Sequence, residues 1–130
     1  METLKDYFEN TRGIGVISTA DKEGKVNSAV YSRPHLLEDG SIAFIMRDRL
    51  TYHNLRSNPH AAFLFMEEGP GYKGKRLYLS KTREEENVEL IHSLSRRKYA
   101  NDKSGTRFLV VFRVEKVLPL IGADEERGII

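Results

Sequence analysis

The feature that most constrains this chain is a series of six short β-prone runs, at residues 16–20, 26–33, 42–46, 61–66, 75–81 and 107–120, each bounded by turn residues. In the last run Phe108, Val110, Phe112 and Val114 alternate with Leu109, Val111, Arg113 and Glu115, the period of two that sends successive side chains to opposite faces of a sheet. Asp21-Lys22-Glu23-Gly24 reads as a hairpin turn between the first two runs, and Glu38-Asp39-Gly40 as the turn before the third, so the first three strands read as an antiparallel meander. Pro34 cannot donate to a ladder and bends the second strand, which Leu36 and Leu37 continue to the next turn. Only two connections, 47–59 and 84–97, carry a helical pattern, so there is no β-α-β alternation of the kind a parallel sheet needs. The expected fold is mainly β: a six-stranded antiparallel barrel, closed or nearly so, with a few short helices. Side chains fill the interior of so small a barrel, so a ligand would lie in an outer groove, often where two subunits meet.

The 130 residues suit a single domain, 1–130, that buries about two thirds of the surface its unfolded chain exposes. Hydrophobic content of 39% with 31% charged residues is that of a globular chain, and no apolar run is long enough to cross a bilayer. The start, Met-Glu-Thr-Leu-Lys-Asp-Tyr-Phe, has acidic residues and no apolar signal region, so a cytoplasmic address is expected. Cysteine is absent, which excludes disulfides, thiolate metal sites, iron–sulfur clusters and cysteine nucleophiles within this sequence. A net charge of +2, with acidic runs among the basic ones, does not argue for a nucleic-acid partner.

Residues 3–10 place Leu4, Tyr7 and Phe8 at helical spacing, with Gly13 and Gly15 ending that helix. Residues 84–97 place Val88, Leu90, Ile91 and Leu94 on one helical face, acids first and Arg96, Arg97 and Lys98 last. The stretch 67–74 is rich in glycine, but a strand follows it where a phosphate-binding loop needs a helix, so it reads as a mobile hairpin or lid. Residues 101–105 read as a polar loop, and the charged tail 124–130 as frayed.

The connector 47–59, Arg-Asp-Arg-Leu-Thr-Tyr-His-Asn-Leu-Arg-Ser-Asn-Pro, is where chemistry concentrates. Leu50-Thr51 can open a short helix, and Ser57-Asn58-Pro59 stops it, because proline disfavours a helical residue before it. Unpaired amides and the positive end of the helix dipole then lie beside Arg47, Arg49 and the Thr51 hydroxyl. That combination suits a phosphate. It also suits a solvated connector whose threonine does no more than cap a helix.

Taken with the runs that flank it, the connector resembles part of a known family. The segment Gly24-Lys25-Val26-Asn27-Ser28-Ala29-Val30-Tyr31-Ser32-Arg33, then Phe44-Ile45-Met46, the basic turn with its Asn-Leu-x-x-Asn-Pro helix end, and the run 61–65 are similar to the pyridoxamine 5′-phosphate oxidase-like flavoproteins, over about residues 13–82. The resemblance implies an FMN-binding split barrel and a homodimer with two flavins at the interface. It implies that Ser28, Ala29, Val30, Tyr31, Ser32 and Arg33 run along the flavin, with Arg33 as a basic phosphate contact, and that Ile45 and Met46 line the same cofactor. Arg47, Arg49, Leu50 and Thr51 match the turn that grips the phosphate, although the family's usual Arg-Lys or Ser-Lys pair reads Leu50-Thr51, which shifts charge onto Arg47, Arg49 and Arg33. Asn54, a turn further on, is expected to face that groove, and Lys75 to fall near a position that reaches the ring system. The family's C-terminal Arg-x-His segment has no counterpart, so oxidation of pyridoxamine phosphate is not expected.

His35, His53, His60 and His92 are scattered and do not read as a metal set, and Ser18, Ser28, Ser32 and Ser80 lack a nucleophile-elbow context. The expectation is a flavoprotein oxidoreductase in which FMN carries the hydride or electrons and no side chain is catalytic. The alternative is a non-catalytic binding or sensor module whose barrel holds haem, a deazaflavin or another phosphorylated ligand.

Overall fold

The computed structural model describes residues 2–86, 88–94 and 106–122. Helix α1, Leu4–Asn10, opens on a capping box: the Asp6 amide donates to the Thr3 hydroxyl at 3.1 Å and the Thr3 amide to the Asp6 carboxylate at 3.3 Å. Its buried residues, Tyr7 and Phe8, face the core. The helix ends by itself, because Thr11 is already extended, so Gly13 and Gly15 do not stop it as the sequence suggests. They open strand β1, Gly13–Ala20, where side chains do not fit: a Cβ on Gly13 would lie 2.2 Å from the Met66 carbonyl oxygen, and one on Gly15 2.4 Å from the Phe63 ring.

The remaining strands are β2, Val26–Tyr31; β3, His35–Leu36; β4, Ile42–Arg47; β5, His60–Glu67; β6, Gly74–Glu85; and β7, Arg107–Pro119. Helix α2, Leu50–Ser57, lies between β4 and β5, and helix α3, Val88–Leu94, follows β6. The β1–β2 turn closes with the Gly24 amide donating to the Asp21 carbonyl at 3.0 Å, and Gly24 supplies the left-handed residue at φ 89°. Among the described residues there are seven strands rather than six, since Pro34 ends the second run and the residues after it pair elsewhere.

All pairings are antiparallel, in the order β2-β1-β5-β6-β7-β4-β3. The expected three-strand meander is therefore corrected: β4 pairs with β3 and β7, not with β2. The two ends of that order, β2 and β3, are separated in the chain by only Ser32, Arg33 and Pro34, a link that spans at most roughly 14 Å. The sheet must curl until its edges approach, and Tyr31 on β2 meets Phe44 on β4 edge-to-face at 5.7 Å across the gap. The result is a barrel left split along β2.

Inside it, Phe44, Phe63, Phe65 and Phe112 pack at ring separations of 4.9 to 6.3 Å with Ile17, Met46 and Leu77. Outside, α3 lays Ile91 on Ala43, Leu109 and Val111, which covers the β4–β7 face. Glu84 and Glu85 belong to β6, which stays paired with β7 as far as Glu85 opposite Leu109, so the third helix starts later than its acids suggest. The rest of that expected helix (95–97), the polar loop (101–105) and the tail (124–130) lie outside the described residues. Among the described residues no helix is long and apolar enough to cross a membrane.

Candidate functional site

Strand β4 ends at Arg47, whose carbonyl accepts from the Arg49 amide at 2.8 Å, and this tight turn throws Arg49 into the N-cap position of α2. Arg49 is extended (φ −134°) and its side chain makes no capping hydrogen bond. The first helical bond runs from the His53 amide to the Arg49 carbonyl at 3.0 Å, so the amides of Leu50, Thr51 and Tyr52 have no acceptor within the helix. At the far end the Asn58 amide returns to the Asn54 carbonyl at 2.9 Å, and Pro59 follows.

What fixes α2 is its other face. Tyr52 stacks on Phe108 at 4.1 Å with the rings 7° from parallel, and its hydroxyl donates to Glu84. Lys81 also bonds Glu84, at 2.6 Å. Burial, reinforced by the Glu84 carboxylate, pushes the Tyr52 phenol up to about 12. Burial would raise Glu84, but its bonds from Lys81 and Tyr52 outweigh that and hold it below its ordinary value.

The start of α2 therefore faces a groove of about 650 Å³ along the split in the barrel. Its walls are Gly13 to Gly15 of β1, Asn27 and Ala29 to Arg33 along β2 and beyond, His35 of β3, Phe44, Ile45 and Arg47 of β4, and Arg49 to Thr51. Of the residues expected from the sequence, Ala29, Val30, Tyr31, Ser32, Arg33, Ile45, Arg47, Arg49, Leu50 and Thr51 come together here. Burial raises the Tyr31 phenol while the positive charge of Arg49 opposes the rise, so the field of that guanidinium reaches β2 across the groove.

Four expected residues do not line it. Ser28 points to the opposite face of β2 from Asn27 and Ala29, and bonds Ser18 at 2.8 Å. Met46 is fully buried in the barrel. The Asn54 amide nitrogen donates to the Thr19 hydroxyl at 3.1 Å, under the helix. Lys75 sits over the Tyr7 ring, 4.6 Å from its centroid. Alternation alone does not separate them, because Val30 shares the face of Ser28 and Phe44 that of Met46, and both line the groove; Ser28 is bonded across the hairpin to Ser18 and Met46 is sunk in the barrel. Arg33 has a double position: it borders the groove, and one terminal nitrogen donates to the Phe8 and Thr11 carbonyls at 2.7 and 3.2 Å, which ties down the end of α1.

Gly13, Ile14, Gly15, Asn27, His35 and Phe44 line the groove without having been expected there. The signal for Asn27 was its phase: 27, 29 and 31 share one face of β2. The glycine-rich stretch borders a second cavity of about 450 Å³ with Met66, Glu67 and Tyr72, and that cavity shares Gly13 and Ile14 with the groove. His53 pairs with Asp48 at 2.6 Å on the exposed side of α2. Among the described residues no three His, Cys, Asp or Glu side chains are grouped to hold a metal.

No family model and no curated protein matches the sequence. Solved structures do match. An FMN-binding protein from Syntrophomonas wolfei superposes with a TM-score of 0.72 at 22% identity, over 89% of this chain and 82% of that one. An F420 reductase gives 0.67 at 13% identity, over 90% and 98%. A candidate pyridoxamine 5′-phosphate oxidase from Listeria innocua gives 0.66 at 17% identity, over 92% and 99%. The fold is the pyridoxamine 5′-phosphate oxidase-like split barrel. At these identities the likeness fixes the architecture of this split barrel alone.

Proposed function

We propose that this protein binds FMN in the groove along the split and uses it as an oxidoreductase. The observation that carries the reading is the convergence of Arg47, Arg49, Thr51 and the first turn of α2 on one groove beside an edge strand. A phosphate monoester with close to two negative charges is matched by two guanidinium groups, a hydroxyl and helix-start amides. The edge strand is β2, which among the described residues pairs only with β1, so its second row of N–H and C=O groups is unclaimed by the sheet they form. That row suits the polar pyrimidine edge of a flavin, with Val30, Tyr31 and Ile45 as apolar contacts. When bound, the flavin supplies hydride or electron transfer, and the chain binds it, orients it and shields it.

A second copy of the chain completes the site in this reading. Ile14, Val30, Leu64 and Met66 stand on the outer face of β1, β2 and β5, joined by the register pairs Ile14–Met66, Val16–Leu64 and Val16–Val30. Val30 is 76% and Ile14 58% exposed, and both also line the groove. An apolar face continuous with a cofactor groove suits a homodimer that covers flavin and strand together.

The test is to purify the protein and titrate it with FMN and riboflavin. A yellow protein that releases FMN on denaturation and prefers FMN to riboflavin supports the reading. A colourless protein with no affinity for FMN overturns it. The likeness to an F420 reductase favours a deazaflavin as the second reading, which the same titration with F420 distinguishes.

A further inference from the structure

The polar residues buried among the described residues are Thr19, Thr51 and Asn54, at 4%, 5% and 4% exposure. All three lie in one seam, where α2 packs on the β1–β2 hairpin, and Asn27 is the fourth member. Two bonds cross the seam side by side. Asn54 Nδ2 donates to Thr19 Oγ1 at 3.1 Å, and Asn27 Nδ2 donates to Thr51 Oγ1 at 3.2 Å. Thr19 and Asn27 are themselves cross-strand partners, so the two bonds hang from one rung of the hairpin.

The bonds differ in where they lie. Neither Thr19 nor Asn54 lines the groove, so theirs is a docking bond that seats the helix. Asn27 and Thr51 both line it. A threonine hydroxyl has one proton and two acceptor sites. With one acceptor site filled by the Asn27 amide, the proton has to point elsewhere, and the groove is the polar space that Thr51 borders. We propose that Asn27 is a positioning residue: it holds the Thr51 hydroxyl as a donor aimed into the groove, so that the site selects a phosphorylated flavin over the same flavin without phosphate. This rests on the flavin reading above.

The readout is the ratio of FMN to riboflavin affinity, because a residue that only stabilised the fold would lower both alike. Asn27→Ala is expected to reduce that ratio on the order of tenfold, the worth of one oriented bond to a charged group, with riboflavin affinity little changed. Asn27→Asp is expected to reduce it further, since a carboxylate accepts the Thr51 proton and repels phosphate. Adding Asn27→Ala to Thr51→Val is expected to cost nothing beyond Thr51→Val alone, as for residues acting through one another. Thr19→Val, which breaks the docking bond, is expected to lower the Tm and leave the ratio intact. Should Asn27→Ala not fold, Asn27→Asp and Asn27→Ser carry the same comparison. The inference is overturned if the wild type prefers FMN and the Asn27 variants keep that preference, or lose both ligands in proportion. A wild type with no preference for FMN removes the flavin reading and this inference with it.

Discussion

Arg49 does two jobs that usually fall to different residues. Its backbone starts α2 in the extended N-cap conformation, while its side chain, which makes no capping bond, carries a full charge to the mouth of the groove. A serine or aspartate at this position would cap the helix better and would take up the amides a phosphate can use. Replacing Arg49 by alanine is therefore expected to leave the helix in place and weaken FMN binding by about 1.5 kcal/mol, at the low end for a bond between charged groups because the side chain is exposed. Isothermal titration checks this, and the deficit should shrink as salt is raised, since exposed charges are screened. That Arg47, Arg49 and Thr51 gather at one groove was legible in the sequence, because arginines and a threonine at a helix start have a chemistry that survives any tertiary context, whereas residues 29–33 and Ile45 were implied by the family resemblance. The places of Ser28 and Asn54 were not legible. Ser28 is claimed by Ser18 across the hairpin and Asn54 by Thr19, partners that only folding brings near.

At the level of elements, α2 is held by a half-buried polar contact, Tyr52 to Glu84, as well as by apolar packing. The Tyr52 phenol is raised from the ordinary 10.0 to about 12 by burial and then by Glu84. A group raised on folding contributes stability that is fully present below its unfolded value and is lost as pH climbs through its folded one. The Tm should hold up to about pH 10 and fall between about pH 10 and 12 as the unfolded chain ionises first. Tyr52→Phe should be less stable by about 1 kcal/mol at neutral pH and should show a shallower alkaline fall, the remainder coming from the Tyr7 and Tyr31 phenols, which folding also raises; thermal melts across the range check this. At the acid end Glu84, held below its ordinary value, contributes stability that is lost as pH falls through its folded value. The third helix shows where element boundaries escape a sequence reading: Glu84 and Glu85 look like a helix start, but β7 offers them a ladder.

For the whole molecule, the decisive step is the passage from β2 to β3. Alternation along each run makes the strands legible, since period two is a local property. Their order is not, because β7 inserts between β6 and β4 through contacts far apart in the chain. Pro34 is the local mark of that jump, read from the sequence as a bend and found in the structure as the place where the chain crosses from one edge of the sheet to the other. The crossing leaves the split, and the split is the groove. The outer face beside it, which no element among the described residues covers, contrasts with the β4–β7 face that α3 covers. A charge in the middle of that apolar face should keep two copies apart: the wild type is expected to sediment as a dimer and Leu64→Glu as a monomer, with FMN affinity lost although Leu64 does not line the groove. A wild type that sediments as a monomer would contradict this.

The central claim is that the phosphate of a flavin nucleotide lies at the start of α2 between Arg47, Arg49 and Thr51. A crystal structure of the protein grown with FMN tests it most directly. Phosphate oxygens are expected within hydrogen-bond distance of the Arg49 guanidinium, the Thr51 hydroxyl and the first-turn amides, with the ring along β2. A flavin bound with its phosphate in solvent or against another element, and α2 making no contact with it, would contradict the account.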